Sequence, residues 1–137
     1  MRLRAITEMY IYKPQNEVLA NIINSDKLIA YFKLYNHSLQ VNSDGYIWHK
    51  PDKTSVTIRL KSPQPPMALS FDWDFTNTDT QVQISVQQIS PSLSLLKIVE
   101  DGWTATDEGI SRYNKQIKLW SFFSIRFKLY LEHGLKV

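Results

Sequence analysis

The clearest pattern in the chain is the alternation of apolar and polar residues through its middle. Val56, Ile58 and Leu60 fall on one side of a strand, with Ser55, Thr57, Arg59 and Lys61 opposite. Met67, Leu69, Phe71, Trp73 and Phe75 share a face against Ser70, Asp72 and Asp74; Val82, Ile84 and Val86 oppose Gln81, Gln83, Ser85 and Gln87. A period of two with one dry face marks antiparallel strands covered on one side. The expected strands are 38–42, 45–50, 54–61, 67–75, 80–89 and 92–99, punctuated by turns at Asp44-Gly45, Pro51-Asp52, Asn77-Thr78-Asp79 and Ser90-Pro91-Ser92. Ser62-Pro63-Gln64-Pro65-Pro66 has to be a loop, because proline donates nothing to a ladder.

Residues 2–12 also read as a strand, with Leu3, Ala5, Thr7, Met9 and Ile11 on one face, ended by Lys13-Pro14. Two short helices follow. The first, 15–24, turns Val18, Leu19, Ile22 and Ile23 to one side; the second, 26–33, has Ser25 as its N-cap. The last element is the strongest: a helix over 106–131, about 39 Å long, with Thr104 to Asp107 read as a capping box. Its apolar stripe is Ile110, Tyr113, Ile117, Trp120, Phe127 and Leu131, broken at Ser124 and flanked by Phe123, and Gly134 follows its end. The whole predicts one α+β domain over 1–137: a curved antiparallel sheet of six to seven strands, with the long C-terminal helix packed across its concave face.

Composition narrows the chemistry. Cysteine is absent, which excludes disulfides, thiolate zinc sites and cysteine nucleophiles. The net charge of +3 is spread without a basic block, so a nucleic-acid partner is not expected. No run of apolar residues is long enough to span a membrane, and the opening residues lack a signal-peptide pattern, so a cytoplasmic location is expected. His37, His49 and His133 show no metal-ligand spacing, and no phosphate-cradling or nucleophile-elbow motif occurs. No cofactor and no catalytic residue is predicted. Asp72 and Asp74 read as exposed strand carboxylates. The aromatic residues carry the functional expectation: Phe71 and Trp73 from the sheet should face Tyr113, Ile117, Trp120 and Phe127, with Phe123 beside them and Trp48 near one mouth. That set is either a packed core or the lining of a cavity for a small apolar ligand.

Longer motifs bring in a family. Tyr12-Lys13-Pro14, then Glu17-Val18-Leu19-Ala20 and Ser25 through Phe32, resembles the opening of the Hsp90-ATPase-activator-like family of the START-like (SRPBCC) superfamily. Pro65-Pro66-Met67-Ala68-Leu69-Ser70-Phe71-Asp72-Trp73 is similar to a strand of that family, and Asp101-Gly102-Trp103 with Trp120 through Glu132 to its closing segment. Leu19 stands where that family often has tryptophan, Leu119 where it has glycine, and 38–61 lacks its paired glycines. The resemblance implies a helix-grip fold, often around an apolar cavity. It also implies three kinds of role: a module binding a small hydrophobic molecule or lipid, a chaperone partner of the Hsp90-activator kind, or a cyclase- or hydratase-type enzyme. It selects no oligomeric state.

Overall fold

The structure is a computed structural model and describes residues 2–23, 38–42, 45–49, 52–61 and 67–135. The strands are β1 (Arg2–Ile11), β2 (Ser38–Asn42), β3 (Gly45–His49), β4 (Ser55–Lys61), β5 (Met67–Trp73), β6 (Thr80–Ser90) and β7 (Leu93–Thr104). The helices are α1 (Gln15–Ile23) and α2 (Asp107–His133). All strand pairs are antiparallel, in the order β1-β7-β6-β5-β4-β3-β2. Six strands therefore run as a meander, and the first strand returns to pair with the last. The long helix packs across this curved sheet, as expected. The second expected helix, 26–33, lies outside the described residues, as do His37, Asp44, Pro51 and the loop 62–66.

The inner face of the sheet follows the alternation. Val82, Ile84 and Val86 of β6 are buried, as are Leu96 and Ile98 of β7 and Phe71 and Trp73 of β5. In register, Ile84 lies opposite Ile98 and Val86 opposite Leu96. α1 adds Val18 and Ile22 to the same core. Its start is set by Pro14, whose carbonyl oxygen accepts the N–H groups of Glu17 and Val18.

Two boundaries and one helix face differ from expectation. β7 does not stop at 99 but runs to Thr104, carrying Glu100 and Trp103 onto the covered side. Thr104 therefore belongs to a strand, and the helix cap is Thr106: its hydroxyl accepts the N–H of Gly109 at 3.1 Å. A Cβ on Gly109 would collide with the Thr104 carbonyl oxygen, so a glycine is what lets the helix start this close to the strand end. The buried stripe of α2 is also rotated. It comprises Gly109, Gln116, Trp120, Phe123, Ser124 and Phe127, while Ile110 is 43% exposed. Hydrophobicity alone placed Ile110 inside and treated Ser124 as a break; two polar residues in fact belong to the covered face.

The helix ends at Gly134, whose φ of 67° suits a residue without a Cβ. Gly134 N–H donates to Tyr130 O at 2.8 Å and Leu135 N–H to Leu129 O at 3.3 Å. The last turn also clamps the first strand. Glu132 accepts the N–H of Tyr12 at 2.8 Å, and Lys128 Nζ donates to Glu132 and to Tyr10 O, each at 2.6 Å.

Burial alone would raise the Glu132 pKa, but the Lys128 ammonium and the Tyr12 N–H outweigh it and hold it below its ordinary value. A carboxyl depressed in the folded state stabilises fully above its unfolded value, and that stabilisation is lost as pH falls through the folded one. Glu132→Gln should therefore lower stability by about 1–2 kcal/mol at neutral pH. In urea melts the gap between variant and parent should close on acidification; a gap that is constant with pH would contradict the clamp.

Candidate functional site

Among the described residues, one acidic side chain is enclosed in the interface between α2 and the sheet. Glu100 is fully buried, on the inward face of β7 two residues beyond Ile98. Its neighbours in the ladder are small or slender: Ala5 on β1 and Val82 on β6. They leave room for side chains to reach down from the helix. Gln116 Nε2 and Trp120 Nε1 each donate to Glu100 Oε1 at 2.8 Å. From the sheet, Trp73 Nε1 donates to Oε2 at 2.9 Å and Thr80 Oγ1 to the same oxygen at 2.6 Å. Four donors from β5, β6 and α2 thus converge on one carboxylate. No ion pair to it occurs among the described residues.

This arrangement explains why Gln116 is buried: at i and i+4, Gln116 and Trp120 lie on one face of the helix and share one acceptor. It also sets the aromatic packing. Trp73 and Trp120 bind opposite oxygens of the same carboxylate, and their rings stack at 5.6 Å. The aromatic contacts continue from this pair. Phe71 meets Trp73 edge-on at 5.3 Å, Trp120 meets Phe123 edge-on at 5.5 Å, and Phe123 stacks on Phe127 at 5.8 Å. Phe75 joins Trp73 at 4.8 Å and Trp48 at 5.9 Å.

The residues expected to line a cavity are therefore mostly brought together. Phe71, Trp73, Trp120, Phe123, Phe127 and Trp48 are all buried in one cluster. Tyr113 and Ile117 are only half-buried. Tyr113 sits apart from Phe71 and Trp73, with its ring edge-on to Trp103 at 6.2 Å. Trp103 Nε1 donates to Thr76 Oγ1 at 3.1 Å. His49 is exposed. Asp72 pairs with Lys61 at 2.9 Å, and Asp74 accepts the N–H of Thr57 at 2.8 Å. Both carboxylates are half-buried rather than exposed as expected, and Asp74 lies just past the end of β5.

Glu100 itself was missed by sequence reasoning, and a signal for it exists. Leu96, Ile98 and Glu100 continue one period of two, so an inward carboxylate follows once the strand is extended past 99. Chemically, the enclosed carboxylate is a hub: both oxygens are engaged, and it orients two indoles. Ser124 is a further polar group of the interface, apart from the hub. Its hydroxyl is buried and has no hydrogen-bond partner among the described residues. No group of three or more His, Asp or Glu side chains among the described residues is placed to hold a metal.

No protein-family model matches the sequence, and no curated protein matches it. Solved structures do. A conserved protein of unknown function from Enterococcus faecalis superposes with a TM-score of 0.68 at 18% identity, over 97% of this chain and 73% of its own. A Staphylococcus saprophyticus protein gives 0.72 at 17%, over 98% of this chain and 96% of its own. A protein of the dynemicin biosynthetic locus gives 0.73 at 16%, covering 97% of this chain, which spans only 48% of that protein. At such identities the likeness establishes the fold alone. What the neighbours share with this chain is the helix-grip architecture, a curved antiparallel sheet with a long C-terminal helix across it.

Replacing Glu100 by glutamine would turn one acceptor oxygen into a donor facing other donors. The variant should lose about 2–4 kcal/mol of stability, read as an earlier urea midpoint. A Glu100→Gln protein as stable as its parent would show that the four hydrogen bonds do not hold the helix to the sheet.

Proposed function

We propose that the protein is a START-like (SRPBCC) module that binds a small hydrophobic molecule between its C-terminal helix and its sheet. The fold supports this reading, and so does the aromatic character of the interface, where Phe71, Trp73, Trp120 and Phe127 supply apolar walls. The observation that carries it is the Ser124 hydroxyl. A serine inside a helix ordinarily bonds the carbonyl four residues back, as Ser121 does to Ile117 O at 2.8 Å. Ser124 does not, although it is buried. A buried hydroxyl without a partner costs roughly 1–3 kcal/mol, and a ligand's polar atom would remove that penalty. Trp120 and Phe127, four residues before and three after, lie on the same helical face. The matching ligand has an apolar body and one polar group, such as a fatty alcohol, a fatty acid or a cyclic ketone.

The reading is tested by titrating tryptophan emission with anilinonaphthalenesulfonate, oleate and a fatty alcohol. A saturable shift with at least one of them is expected. Ser124→Ala should weaken that binding about two- to tenfold without lowering the melting temperature. The reading fails if no probe changes the emission and Ser124→Ala does no more than stabilise the fold, since the interior is then a plain core. The chaperone-associated alternative rests on the sequence resemblance alone, and its test is stimulation of Hsp90 ATPase by the intact chain.

A further inference from the structure

The outward face of α2 carries a second chemistry, independent of whatever the interior binds. Between Gly109 and Leu131 the helix has five cations (Arg112, Lys115, Lys118, Arg126 and Lys128) and no carboxylate. Two are matched from outside that stretch: Arg112 by Glu108 and Lys128 by Glu132, each at 2.6 Å. Lys115, Lys118 and Arg126 have no ion-pair partner among the described residues. At 100° per residue these three fall on the side opposite the buried stripe, together with Phe122 and Ile125. Phe122 is 58% exposed and Ile125 46%. The Arg126 guanidinium lies over the Phe122 ring, 5.6 Å from its centre. One turn on from Ile125, Lys128 Nζ lies 4.7 Å from the centre of the Tyr12 ring, which is also exposed. Bulky apolar groups flanked by unmatched cations thus follow one face of a continuous helix.

We propose that this face docks the protein onto an anionic lipid surface. Each component has its counterpart there: the cations meet phosphate and carboxylate headgroups, while Phe122 and Ile125 enter the boundary between headgroups and acyl chains. Lysine and arginine stems can lie along the apolar boundary with their charged ends among the headgroups. The unmatched cations extend from Lys115 to Arg126, about 16 Å along the axis. They stand on the convex outer surface of a straight helix, which a flat surface can meet along its length, with the long lysine and arginine side chains reaching it from either flank. A peptide partner would gain more from a groove.

The test is co-sedimentation with phosphatidylcholine vesicles, with and without phosphatidylserine. The protein should pellet with the anionic vesicles and not with the neutral ones, and added salt should release it. Removing one cation should weaken binding about fivefold, so Lys115→Ala with Lys118→Ala should weaken it about 25-fold. Phe122→Ala should weaken it several-fold. All three side chains point outward, and an unchanged melting temperature verifies that the variants fold. Equal pelleting with both vesicle types overturns the proposal. So does no pelleting with either, or binding that is indifferent to the double substitution. Capture of the protein by polyglutamate without vesicle binding would assign the face to an acidic protein and overturn it equally. These readouts do not depend on tryptophan emission, so the outcome is separate from that of the interior ligand titration.

Discussion

The carboxylate of Glu100 is the constraint around which the rest of the structure is arranged. Taking an isolated carboxylate out of water is expensive, and proteins tolerate it only where the oxygens are matched. Here the matching groups are two indoles, an amide and a hydroxyl from three different elements. Each bond fixes something. Gln116 and Trp120 lock the rotation and axial position of α2, because a shift by one residue would carry both away from the acceptor. Trp73 and Thr80 lock the neighbouring strands to the same point. Stacking of Trp73 on Trp120 follows from two indole N–H groups sharing one carboxylate, and the phenylalanines pack outward from that pair. A polar group thus gives the apolar interface a single geometry, where aromatic surfaces alone would slide.

Most of the architecture could be read in the chain because it rests on periodicity. In β4, β5 and β6 the alternation of apolar and polar residues is nearly unbroken, and their positions came out within a few residues. The long helix was equally legible from its length and apolar spacing. The hub was not legible, for related reasons. A rule that counts apolar residues ends β7 where Glu100 begins; in α2 it leaves Gln116 out of the stripe and reads Ser124 as a break in it. Both errors come from treating a polar residue as an exposed one. The reciprocal question is which inward position could satisfy a carboxylate. Its answer depends on tryptophan and glutamine side chains remote in sequence, and a pattern along one element does not contain it. The cap failed differently: Thr104 and Thr106 are both plausible acceptors by type, and the choice depends on where the strand stops.

The two faces of α2 divide the molecule's chemistry. The inner face is aromatic, dry and held by hydrogen bonds to one acid. The outer face has cations without an ion-pair partner among the described residues, together with the exposed Phe122 and Ile125. Rigidity is built into the first and exposure into the second, and the same 27-residue helix carries both. A change on either side therefore need not propagate through a loop, since the helix is one body pinned at Glu100 near its middle and at Tyr10 and Tyr12 near its end.

The return of β1 to pair with β7 has a consequence for how the chain is made. The first strand leaves the ribosome long before its hydrogen-bonding partner, which begins at Leu93. Its final clamp comes later still, from Glu132, 120 residues beyond Tyr12. Contacts this distant close slowly, because a long loop must be ordered before they reward it. During synthesis β1 is an unpaired strand with Ile6 and Tyr10 on one side and Ala5 and Ile11 on the other. Arg2, Arg4 and Glu8, interleaved with those residues, give it the charges that keep such a strand from pairing with copies of itself while it waits.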